Sequence, residues 1–102
     1  VVPDVAPIDV NTNTPPIATS RSLKTTVNTP LSVVLRGYDP DGDPIQFSIR
    51  TQPKNGTITG TPPNLRYTPK LDYVGLDSFT FTVSDAVFTS SPATVSLSVK
   101  TP

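Results

Sequence analysis

The sequence predicts an all-β fold, an Ig-like two-sheet antiparallel sandwich of about seven strands. Three observations predict it: apolar residues alternate with polar ones, turn residues fall between the alternating runs, and helix-forming composition is missing. All eight acids among the 102 residues are Asp, with no Glu, and thirteen residues are Pro. Glu suits helices, whereas Asp and Pro suit turns. No stretch carries an apolar stripe at the 3.6-residue period of a helix.

Taken in order, residues 1–16 (VVPDVAPIDVNTNTPP) hold four prolines and no apolar period. They read as an extended linker from a preceding domain. The domain proper is expected over residues 17–100, with residues 101–102 a second linker stub. Strands are expected near 17–26, 31–38, 45–51, 57–60, 64–68, 77–85 and 93–100. Val33 and Leu35 share one face. Ile45, Phe47 and Ile49 alternate with Gln46, Ser48 and Arg50. Phe79, Phe81 and Val83 alternate with Thr80, Thr82 and Ser84, and Val95, Leu97 and Val99 with Ser96 and Ser98. Such alternation gives each strand one buried and one wet face. The predicted core is Val33, Leu35, Ile45, Phe47, Ile49, Ile58, Leu65, Tyr67, Phe79, Phe81, Val83, Val95, Leu97 and Val99. Between the runs, residues 39–44 (DPDGDP) form a turn, Asn55-Gly56 favours a primed hairpin turn, and residues 61–64 (TPPN) form another break. Residues 69–75 are an irregular crossing.

Composition also bounds function. The chain has no Cys and no His, which removes disulfides, thiolate metal sites and the commonest general base. Lys plus Arg and Asp plus Glu balance at eight each, so the basic excess of a nucleic-acid or anionic-membrane surface is missing. No stretch reaches the length of a membrane span. The Cys-free, Thr/Ser/Pro-rich composition suits a secreted or cell-surface protein. An enzyme is not expected.

Asp39, Asp41 and Asp43 are the sharpest chemical feature. Carboxylates at alternate positions around Gly42 can converge on one hard cation, and calcium takes six to eight oxygens in irregular geometry. The pattern starts like an EF-hand loop, but its twelfth position is Arg50 and Pro44 interrupts it, so an EF-hand is excluded. The competing reading is ordinary turn chemistry, since Asp-Pro and Asp-Gly make turns with no metal. Paired carboxylates on one polar turn do not suggest glycosidase chemistry, which needs a cleft. The three tyrosines, Tyr38, Tyr67 and Tyr73, read better as packing residues than as a sugar platform. Tyr73 is the candidate to tie down the crossing before the Phe79 strand. Asn55-Gly56-Thr57 matches a glycosylation sequon but reads as a turn.

Several strings fall in a familiar order: YDPDGDPI at 38–45, NGTITG at 55–60, LRYTP at 65–69 and YVGLDSFTFTVSD at 73–85. Over residues 15–100 the chain resembles bacterial Ig-like, cadherin-like domains of secreted and surface multidomain proteins. The resemblance implies a non-catalytic spacer module of an adhesin stalk or accessory domain, monomeric in isolation, with neighbouring domains of the same chain as partners. An alternative is a polysaccharide- or cell-surface-binding module of a secreted hydrolase. It also implies calcium at a junction. In such a sandwich the loops holding Asp39, Asp41 and Asp43, and Asp85, lie at the end where the chain comes in near Pro15-Pro16, and these four are the candidate metal residues. The family often has Asp-Gly where this chain has Asp85-Ala86.

Overall fold

The computed structural model describes residues 14–102. Most of the expected linker therefore lies outside the described residues. Within them are nine strands and no helix: β1 (Ile17–Thr19), β2 (Arg21–Thr26), β3 (Leu31–Val34), β4 (Arg36–Tyr38), β5 (Gln46–Thr51), β6 (Gly56–Thr61), β7 (Asn64–Pro69), β8 (Gly75–Ser84) and β9 (Ala93–Lys100). One sheet has the order β2-β9-β8-β5, the other β3-β7-β6, and β1 pairs with β4 alone.

Two expected strands are each broken in two. The run 17–26 changes partner at Ser20: Ile17 pairs with Tyr38, whereas Arg21 pairs with Val95. The run 31–38 breaks at Leu35, whose amide leaves the ladder and donates to the Pro63 carbonyl at 2.9 Å. Changing partners lets one stretch of chain pair first with β4 and then with β9, whose edge it covers. The sandwich is also not wholly antiparallel, because β2 runs parallel to β9.

Tyr67, Phe79 and Phe81 are the largest fully buried side chains, joined by Val33, Val83, Val95, Leu97 and Val99. Complete burial of such a side chain contributes on the order of 2–3 kcal/mol. Ala93 belongs to this core as well, although its alternation signal is weak. Ile45, Phe47, Ile49 and Ile58, expected inside, are only partly buried. Phe47, Ile49 and Ile58 lie on the outer strands β5 and β6, where one flank has no neighbouring strand, and Ile45 just precedes β5. Phe47 still packs on Phe81 with ring centroids 6.2 Å apart.

The strands run between two distinct ends. At the amino end lie residues 14–16, the β4–β5 loop and the β8–β9 loop. At the carboxyl end, hydrogen bonds join the β2–β3, β5–β6 and β7–β8 loops to the end of β9: Val27 to the Lys100 carbonyl at 2.8 Å, Lys70 to the Asn55 carbonyl at 2.9 Å, and Asn28 with Asp72 in both directions. Asn55-Gly56 is not a hairpin turn. Neither residue takes a positive φ, and Asn55 ends a loop crossing from β5 in one sheet to β6 in the other.

Candidate functional site at the amino end

The β4–β5 loop folds around its own acids. Asp39 Oδ1 accepts the Asp41 amide at 2.7 Å, and the Asp39 carbonyl accepts the Gly42 amide at 2.9 Å. Gly42 sits at φ +78°, a conformation that costs other residues a steric penalty, so glycine makes this tight turn cheap. The turn brings one carboxylate oxygen from each of Asp39, Asp41 and Asp43 within 4.8 Å of the others. Asp41 and Asp43 are exposed, whereas Asp39 is only 9% exposed.

Asp39 carries the unusual feature. Its Oδ2 is buried and has no hydrogen-bond partner. A buried carboxylate oxygen without a donor is costly, and native structures hold few such atoms. Its surroundings are negative. The Asp43 carboxyl is held above its ordinary value by partial loss of water and by the charges of Asp39, Asp41 and Asp85. The arrangement gathers negative charge and offers oxygen ligands. That donor set suits a hard cation such as calcium.

Two neighbouring elements converge on this loop. The Thr14 amide donates to Asp41 Oδ2, and Pro16 is buried, so the incoming chain is fastened beside the acids. Asp85 is close enough for its charge to act on Asp43, yet it does not join the converging oxygens. Its Oδ1 accepts the Val87 and Phe88 amides, each at 2.7 Å, and so shapes the β8–β9 loop. The structure therefore brings Asp39, Asp41 and Asp43 together and gives Asp85 a turn-forming role beside them.

A second polar constellation at the carboxyl end escaped sequence reasoning. Asp77 accepts the Lys54 and Asn55 amides at 3.0 Å each, the Ser78 amide at 2.9 Å and the Tyr67 hydroxyl at 2.7 Å. Burial, together with the bond to this carboxylate and its charge, pushes the Tyr67 hydroxyl pKa far up. Tyr73, the expected tie, donates only locally to the Leu76 carbonyl. The deeper tie across the sandwich is Tyr67 to Asp77. The only available signal was Asp77 at an inward-facing position of an alternating strand.

The exposed aromatics among the described residues are Tyr38 at 55% and Phe88 at 40%, both at the amino end. The chain has no Trp, the strongest residue for stacking on sugar.

Comparison with known proteins places the fold. Over 86% of its length the chain is similar to part of a nucleoside hydrolase-related hypothetical protein from Saccharophagus degradans associated with carbohydrate metabolism, with a TM-score of 0.70, 15% identity and 26% of that chain covered. An endo-fucoidan hydrolase of glycoside hydrolase family 107 gives a TM-score of 0.67 at 23% identity, covering 86% of this chain and 14% of that one. The first two cadherin domains of human protocadherin-24 give 0.60 at 21% identity, covering 86% and 44%. This chain thus spans less than half the length of each. No curated protein matches the sequence. The model of the bacterial Ig domain family matches residues 13–98, and the chain belongs to that family.

Proposed function

We propose that this domain is a non-catalytic spacer module of an extracellular bacterial multidomain protein, and that calcium at its amino end stiffens the junction with the domain before it. One observation carries the reading: the buried, unpartnered Asp39 Oδ2 lies beside two further carboxylates on a loop to which the incoming chain is fastened. A bound cation would satisfy that oxygen, offset the mutual repulsion and limit the angle at which the chain enters. With one converging oxygen from each of three aspartates, six- to eight-fold coordination needs further ligands from water or a neighbouring domain.

The absence of His and Cys supports a non-catalytic role. The acids that cluster lie on a turn, and Asp77 is committed to four protein donors. A hydrolase parent fits this reading, because the similar region is only 14% of the endo-fucoidan hydrolase chain. A polysaccharide-binding role for the module would rest on two exposed aromatics among the described residues, Tyr38 and Phe88, with no Trp in the chain.

Thermal unfolding in calcium and in chelator tests the proposal. A ligand that binds only the folded state at a hundred times its Kd adds about 2.7 kcal/mol. The melting temperature should rise with calcium in the wild type and not in Asp39→Asn. An unchanged melting temperature with no ion retained at millimolar calcium sinks the metal site.

A further inference from the structure

The two sheets leave four outer strands, β2, β3, β5 and β6. An outer strand presents unpaired backbone amides and carbonyls, and folds guard it with charge, bulges or covering groups. Three of the four are guarded. β2 carries Arg21 and Lys24. Along β3, the Val34 carbonyl accepts Arg21 Nη1 at 2.9 Å. β5 has a bulge between Ile49 and Thr51, with the charged Arg50 in it. β6 has no such device. Residues 55–65 (NGTITGTPPNL) contain no charge, and β6 pairs with β7 without a register shift from Gly56 to Thr61.

The ladder fixes which backbone groups of β6 face outward. The Lys70 amide donates to the Asn55 carbonyl at 2.9 Å, one step beyond the Gly56–Pro69 pair, so Asn55 and Lys70 are a hydrogen-bonded pair. Opposed pairs in an antiparallel ladder alternate between bonded and non-bonded. Thr57 and Thr59 therefore bond to β7, while Gly56 and Ile58 turn their amides and carbonyls away from it. Pro69, which has no amide, stands opposite Gly56, where none is needed. Among the described residues no hydrogen bond reaches the outward groups. The Thr57 and Thr59 side chains are exposed and Ile58 is half-buried. Gly60, at φ +106°, ends the regular stretch.

We infer that β6 pairs antiparallel with β6 of a second copy, joining two three-stranded sheets into one of six strands. With Thr57 on the two-fold axis, Gly56 of each copy faces Ile58 of the other, and their outward amides and carbonyls exchange hydrogen bonds. Composition selects the partner. An edge of Thr, Ile and Gly gives an ionic partner no charge to complement, but it meets itself without repulsion and sets Thr against Thr. Such a contact is closed and gives dimers rather than filaments. It points the two amino ends in opposite directions, so chains joined here arrive from opposite sides. One pair of short strands covers less than the roughly 800 Å² per partner of a stable complex, so free domains associate weakly. This contact goes beyond the spacer reading and requires no metal.

The test uses the 102-residue chain in chelator. The chain has no Cys, so one introduced thiol reports the contact without background. Thr57 and its copy would form a non-bonded pair, whose side chains lie closest, within disulfide reach. Under mild oxidation Thr57→Cys should give a linked dimer about tenfold faster than Ser96→Cys, an exposed site on the other sheet. In the wild type, amide shifts along residues 55–61 should move with concentration up to the low-millimolar range, and diffusion should slow. Both effects should persist in about 0.5 M salt, because no charge is involved. Thr57→Lys sets like charges face to face and should weaken association about tenfold or more. Its melting temperature should match the wild type, since Thr57 is exposed. Mixing it with Thr57→Asp should restore association. Wild-type shifts that do not move, or that move along residues 46–51 instead, overturn the inference. So does a Thr57→Cys chain that links no faster than Ser96→Cys.

Discussion

The two ends of the sandwich each hold a partly buried aspartate, and they differ in how the carboxylate is satisfied. Asp77, at the carboxyl end, accepts from three backbone amides and one hydroxyl. Asp39, at the amino end, accepts from one amide and leaves a buried oxygen unpartnered. A carboxylate whose oxygens are filled by protein donors has stabilisation built into the fold. A carboxylate with a buried empty oxygen has a requirement that something outside the domain can meet. The contrast separates an acid bonded within the fold from one with an unmet oxygen, without reference to sequence motifs.

The largest expected effect falls on the satisfied end. Asp77→Ala leaves the Tyr67 hydroxyl and three amides short of their acceptor, and hydrogen bonds to charged groups contribute about 1.5–3 kcal/mol. Urea unfolding should show a loss of about 3 kcal/mol or more. Next comes Tyr67→Phe, which removes one donor from that carboxylate while keeping the ring in the core. It should cost about 1–2 kcal/mol. Its effect should largely disappear in an Asp77→Ala background, and a double-mutant cycle measures that coupling.

Asp39→Asn should behave in the opposite way. In chelator it should change stability by less than about 1 kcal/mol, because it removes an unpaired buried charge and keeps an acceptor for the Asp41 amide. It should nevertheless abolish the response to calcium. A loss in chelator as large as that of Asp77→Ala would erase the distinction between the two ends.

The smallest effect is a pH dependence. The Asp43 carboxyl titrates above its ordinary value in the folded state, through partial desolvation and the nearby charges of Asp39, Asp41 and Asp85. The folded chain therefore holds this proton more firmly than the unfolded chain does. At neutral pH the ionised group opposes folding slightly. That opposition is relieved as pH falls through the folded-state value. In chelator, Asp43→Asn should remove this contribution and flatten the stability profile just above the usual Asp range.

Much of the fold was legible because side-chain alternation is a local signal. The runs ending in Val83 and Val99 mark β8 and β9, and the run through Phe47 marks β5. The breaks at Ser20 and Leu35 were not legible, because changing partners alters which strand lies alongside and leaves the alternation intact. The half-burial of Ile58 was hidden for a related reason: whether a strand is an outer one depends on sheet order. In the acidic loop, the alternate Asp spacing around Gly42 already indicated convergence. The empty oxygen of Asp39 was invisible, since burial depends on everything packed around the loop.

Local pattern and motif order were enough to establish that this chain forms strands, that they pack as an Ig-like sandwich and that no His- or Cys-based chemistry is available. They also established which turn gathers negative charge. The packing of distant segments sets how far Asp77 and Asp39 are each satisfied. Asp77 meets Tyr67 and the Lys54–Asn55 amides across loops and sheets, while Asp39 keeps a buried oxygen with no donor. Alternation fixes the face of a strand on which a residue lies. Hydrogen-bond satisfaction is set by donors brought close from distant parts of the chain, and local pattern carries no record of them.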